Sequence, residues 1–327
     1  MNESSALAPP TEVISVTSAK EAVECLLDLK ASEGSLVFRG QSDAEWGLVP
    51  SAWREGGAVA RRAAQLKDAP LLRTPALWGL FGTVDVNGAV ASIVGNVHSE
   101  SHQRVADLAS WLLAERGFVE EFSRNCDLAG LSVPGVSKPH QFAPLQFDQS
   151  QNVPKFLVSE AFALAQHYGV PTRLLDFSDQ PLKALYFAAV DLAARPVTGL
   201  LDAMELHERS FCVWALTAPQ MDIASMFATH RLEEMRVLRS SIRYLLAQDG
   251  LFLLSNSTAN RYFINNGRWP DLQELRPKGL RKVVIPWKEA GPTMTRLACL
   301  GIDGLRLQPS YETAARHTLG TSCSPCS

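Results

Sequence analysis

The chain has 327 residues, 46% of them apolar and 20% charged, and a net charge of -3. That balance excludes a disordered chain, which needs low hydrophobicity and high charge, and it removes the basic signature of a nucleic-acid binder. No apolar run reaches the ~20 residues of a membrane-spanning helix.

Residues 1–16 are expected to be a flexible lead-in. Met1 to Pro10 is polar and lacks a basic-then-apolar leader pattern, so a cytoplasmic location without a membrane partner is expected. Ser18 followed by Glu21 has capping-box spacing and predicts a helix over Ala19 to Leu29. Glu33-Gly34-Ser35 breaks it, and Leu36-Val37-Phe38 reads as a buried strand ending at Arg39-Gly40. Ala58 to Leu66 and Val105 to Cys126 have helical patterns. Leu80 to Val97 suits a loop or a hairpin, and Leu128 to Val153 an extended connection.

Phe156 to Tyr168 predicts a helix that stops at Gly169. Thr172 to Phe177 should be a strand, with Ser178 or Asp179 capping a helix over Leu182 to Ala194. Further predictions are strands over Phe211 to Leu216, Gly250 to Leu254 and Arg281 to Ile285, and helices over Glu233 to Ala247 and Thr293 to Leu300. This order lacks regular β-α alternation and points to α+β, with mixed small sheets flanked by helices. Residues 17–318 would be one domain and 319–327 a flexible tail.

Three polar constellations stand out. Arg39, in Phe38-Arg39-Gly40-Gln41-Ser42, ends an apolar strand, where a guanidinium needs a partner. Its fork suits a carboxylate or a diphosphate; an ion pair to Asp176 or Glu45 is the plainer reading. The run from Gln166 to Ser178 places His167, Thr172, Arg173 and Asp176 between two apolar helices, where they should meet each other or a ligand. On a strand from Thr172 to Phe177, Arg173 and Leu175 would share one face and Thr172, Leu174 and Asp176 the other. His167 could act as acid, base or phosphate contact, although a histidine at a helix end is more often a capping or packing residue. Gln248-Asp249-Gly250 precedes an apolar strand and could face a cleft, or be an ordinary turn. The cysteines Cys25, Cys126, Cys212 and Cys299 look like small core residues, and Cys323-Ser-Pro-Cys326 reads as a frayed tail. Cys323 and Cys326 have the spacing of half a zinc site or a redox pair, but no second such pair and no phosphate-loop motif occurs, so no metal is expected.

Together, Phe38 to Ser42 with Trp46 to Pro50, Ala165 to Ala188, and Ala247 to Phe252 with a closing segment from Val283 to Asp303, resemble the FRG (Phe-Arg-Gly) domain family. The resemblance spans about residues 20 to 316, with 56–150 read as a largely helical insertion. A further resemblance is to arginine-type ADP-ribosyltransferases and implies a core of that kind. Arg39 matches their strand-ending arginine. Asp176-Phe177-Ser178 falls at their Ser-Thr-Ser strand, and Gln248-Asp249-Gly250 at their Gln-x-Glu motif.

That resemblance implies NAD as substrate, a protein or nucleic-acid target, and a role as a toxin or phage-defence effector of bacterial type. Arg39, Gln41, Thr172, Arg173 and Ser178 would bind NAD, and His167, Asp176, Gln248 and Asp249 would serve catalysis. The departures are Asp176 at the first serine position and Gly250 at the glutamate position. The alternative is a non-catalytic sensing or interaction domain whose arginine and aspartate side chains only fix the fold.

Overall fold

The computed structural model describes residues 11–67, 99–136, 146–148, 153–155, 158–195, 208–218, 232–237, 243–275 and 277–318. The expected loop at Leu80 to Val97 and the Cys323 to Cys326 tail lie outside them. The chain opens with β1 (Glu12–Ser15), α1 (Ala19–Ser32), β2 (Leu36–Gln41), α2 (Ala58–Lys67) and α3 (Ser99–Leu128). The strands β3 (Gln146–Asp148) and β4 (Val153–Lys155) follow, then α4 (Glu160–His167), β5 (Leu175–Ser178), α5 (Pro181–Ala194) and β6 (Ser210–Thr217). Next come β7 (Glu233–Met235), α6 (Arg243–Gln248), β8 (Gly250–Leu254) and α7 (Ser257–Asn266). The chain continues through β9 (Arg281–Pro286), α8 (Ala290–Cys299), α9 (Gly304–Leu307) and α10 (Tyr311–Thr318).

The fold is α+β. In place of several small sheets, one seven-stranded sheet runs β1-β9-β6-β2-β5-β8-β7, and β3 and β4 pair separately. Among the described residues only β1 with β9 is parallel within the large sheet, and the other neighbouring strands are antiparallel. One sheet face, through Phe38, Val213, Ala215 and Val283, packs against α1, α5 and α8. The other, through Val37, Phe177, Trp214 and Leu253, is closed by Ala44, Leu48 and Leu272. A third apolar cluster joins α2, α3, α4 and α7 to Leu174, Phe252 and Leu254. The helices α2 and α3, both from the stretch expected as an insertion, therefore share a core with the sheet.

Several expectations change. Glu12–Ser15, inside the expected flexible lead-in, is held in the sheet by parallel pairing with Arg281–Val284. Ser18 caps α1, but the Glu21 carboxylate accepts from the Thr17 N–H (2.8 Å) instead of returning to Ser18. Where the helix over Glu233 to Ala247 is expected, the described residues form a strand at Glu233–Met235, paired with β8, and a helix at Arg243–Gln248. There an open sheet edge overrides local helix propensity. Gln180, not Ser178 or Asp179, is the N-cap residue of α5. The helix α7 was not foreseen, because its Asn-rich sequence masks the period. Cys25 is half-buried, and Cys299 is disulfide-bonded instead of a free core residue.

Candidate functional site

The helix α4 ends in a Schellman arrangement. Gly169 takes φ +84°, its N–H donates to Gln166 O (2.9 Å), and Val170 N–H donates to Ala165 O (2.9 Å). This turn sends the chain into the polar run. The strand expected from Thr172 starts only at Leu175, because side chains take the preceding backbone donors. Thr172 N–H donates to Ser51 Oγ (3.2 Å), Arg173 N–H to Glu115 Oε1 (2.8 Å) and Leu174 N–H to Thr172 Oγ1 (3.2 Å). With these donors satisfied, there is no ladder for Thr172 to Leu174 to join.

Arg173 is not in an open pocket. Its side chain is 0% exposed and pairs with Glu115 of α3, itself 2% exposed, at 2.8 Å. Arg173 Nη1 also donates to Asn256 Oδ1 (3.0 Å), and the guanidinium lies 5.9 Å from the Trp269 ring centre. A cavity of about 10 Å³ beside it is lined by Trp53, Arg173 and Ser255 among others, which is room for about one water and not for a nucleotide. The expectation that Arg173 binds a cofactor is thus replaced by a buried, fold-fixing ion pair. Glu115, Asn256 and Asn260 were missed, since nothing local marks them as partners of a residue dozens of positions away.

Four other expected residues are also occupied structurally. Gln41 accepts from Trp214 Nε1 (2.6 Å) and donates to Gly47 O (3.0 Å). Ser178 Oγ donates to Gln248 O (2.7 Å) and accepts from Gln180 N–H (3.0 Å). Gln248 Nε2 donates to Leu307 O (3.3 Å), away from Arg39. Asp249, at φ +46°, holds Lys183 Nζ at 2.7 Å. The register sets Ser178 opposite both Phe38 and Gly250. Asp249 thus lies beyond Ser178, roughly 10 Å along the strands from Asp176, at about 3.4 Å per residue. A Cβ added at Gly250 would come within 2.8 Å of Leu245 Cδ2, so α6 crowds the position where the resemblance wants a glutamate.

The residues that do come together are Arg39, Gln166, His167, Thr172 and Asp176. The strands β2 and β5 share a single bridge, Phe38 to Ser178. Beyond it, Arg39 Nη1 donates to Asp176 O (2.8 Å) and lies 3.4 Å from Asp176 Oδ2. The Arg39 side chain is 16% exposed and that of Asp176 58%, so this pair opens to solvent. Of the two carboxylates foreseen as its partner, Asp176 is the one used. Gln166 Nε2 donates to Asp176 Oδ2 (2.8 Å), and its Oε1 accepts from Thr172 Oγ1. Burial lowers the pKa of His167, and the charge of Asp176 partly offsets this. Arg39 Nε is buried and has no hydrogen-bond partner among the described residues. Gly40 follows because α5 crosses there: a Cβ would lie 2.0 Å from Ala184 O and 2.7 Å from Ala188 N.

The Phe-Arg-Gly strand and the Thr172 to Asp176 run thus build one half-open polar cluster, and the family comparison falls on the second of them. Residues 137–195 match the FRG domain. The FRG segment includes α4, β5 and α5, and so supplies Gln166, His167, Thr172 and Asp176; Arg39 comes from outside it. No curated protein and no solved structure matches the chain. Among the described residues no helix is long and apolar enough to cross a membrane, and no group of three or more His, Cys, Asp or Glu side chains is placed to hold a metal ion.

Proposed function

We propose that the chain is an ADP-ribosyltransferase-like enzyme that takes NAD at the Arg39–Asp176 cluster. The observation that carries this reading is a largely buried guanidinium beside an exposed carboxylate on neighbouring central strands, at the point where β2 and β5 stop pairing. Arg39 would grip the NAD diphosphate through its outward-facing N–H groups. Asp176, steadied by Gln166, would stabilise positive charge on the ribose as the glycosidic bond breaks. Nicotinamide leaves with the bonding pair. A nucleophile of a protein or nucleic-acid target then bonds to the ribose C1′ and gives up its proton. Such an activity would suit a toxin or phage-defence effector. Asp176 takes the acidic role because Asp249 is held by Lys183 and Gly250 is hemmed in by α6.

A second reading has its own support. Arg173, Gln41, Ser178 and Gln248 are all engaged structurally, as in a non-catalytic sensing or interaction domain. Calorimetry of NAD binding to the wild type and Arg39→Ala separates the two readings. Loss of binding in the variant supports the enzyme. Absence of binding in both proteins favours the interaction domain.

A further inference from the structure

We propose that Arg54 is the second half of a two-guanidinium clamp with Arg39, built to hold a diphosphate; this rests on the reading of the Arg39 cluster as an anion site. Arg54 carries no motif, and its place is set by tertiary contacts. The turn Ser51–Trp53 before it is tied to the FRG segment: Ser51 Oγ and Ala52 N–H both donate to Thr172 O, at 3.2 and 3.1 Å. Trp53 stacks on Trp269 with ring centres 4.6 Å apart and planes 3° from parallel. The backbone at residue 54 is thereby fixed beside the same Thr172 that joins Gln166 and Asp176.

Arg54 is exposed, and among the described residues its guanidinium has no hydrogen bond or ion pair. Burial, and then the charge of Arg39, lower its pKa, so the two cations feel each other. The carboxylate of Asp176 is already shared by Arg39 and Gln166. A second anion would relieve the repulsion. A diphosphate, with charge spread over two linked groups, suits two forks better than one carboxylate does.

The test is calorimetry with inorganic pyrophosphate and with NAD, in one low-salt buffer, on wild type, Arg54→Ala, Arg54→Lys and Arg39→Ala. Arg54 is on the surface, so its variants should melt as the wild type does. Arg54→Ala is expected to weaken both ligands about tenfold, a typical loss for one charge-assisted contact. Arg54→Lys should weaken them less, and Arg39→Ala most. Wild-type affinity in Arg54→Ala overturns the clamp while leaving NAD binding through Arg39 intact. Pyrophosphate binding that needs both arginines, without NAD binding, upholds the clamp and removes the NAD reading. Binding of neither ligand to the wild type overturns both.

Discussion

Arg39 Nη1 donates a 2.8 Å hydrogen bond to the backbone carbonyl oxygen of Asp176 on the neighbouring strand. The same nitrogen lies 3.4 Å from the Asp176 carboxylate. One guanidinium therefore bridges two strands where their regular pairing has ended, and its Nε has no hydrogen-bond partner among the described residues. Arg39→Lys keeps the charge but loses the fork, so NAD affinity should fall by about tenfold or more, near 1.4 kcal/mol. Asp176→Asn should leave NAD affinity within a few-fold and abolish nicotinamide release. Titration calorimetry beside a nicotinamide-release assay separates these effects, and undiminished release by Asp176→Asn would refute its catalytic role.

Glu115→Ala removes the carboxylate that the buried Arg173 guanidinium pairs with. Breaking a buried pair from one side costs roughly 3–5 kcal/mol, so a large drop in melting temperature is expected. The double variant Glu115→Met with Arg173→Met removes both charges and should recover most of that loss. A double variant as unstable as the single one would show that the hydrogen bonds to Arg173 N–H and Asn256, not the charge balance, dominate.

Gly40→Ala tests the crossing of α5 over β2. The obstructing atoms are backbone, Ala184 O and Ala188 N, so the helix must shift as a body. Overpacking of this kind costs about 1–3 kcal/mol. Chemical denaturation should show a lower midpoint with an unchanged slope. A midpoint equal to the wild type would mean that α5 can move freely.

His167 supplies a pH dependence of known sign. Its folded pKa lies below the ordinary histidine value of 6.5, chiefly through burial. The folded state therefore binds fewer protons at this site than the unfolded one. The stability it contributes is complete above pH ~6.5 and is lost as pH falls through the lowered folded pKa. A His167→Gln variant should show a flatter fall in melting temperature just below that pH. Asp176→Asn removes the offsetting charge, so the imidazole pKa in that variant should drop further, which an NMR titration reads directly.

Much of the fold is legible in local pattern. The Ser18 cap, the Gly169 helix stop, the buried strands at Leu36, Phe211 and Gly250, and the apolar helix after Pro181 follow from periodicity and turn chemistry, which act over a few residues. The Arg39 to Asp176 pairing could be foreseen as a possibility, since an arginine at the end of an apolar strand demands an acceptor. What only the tertiary structure decided is which polar residues remain available for chemistry. Arg173 and Asp176 are three positions apart in one motif, yet one is sealed against Glu115 and the other faces solvent. The delayed start of β5 makes that difference, and it arises because Ser51 and Glu115, both distant in sequence, bind backbone N–H groups that a strand would otherwise use. Long-range hydrogen bonds of this kind leave no period in the sequence. For the same reason the turn Ser51–Trp53, tied to Thr172 and Trp269, carries no local mark of those contacts.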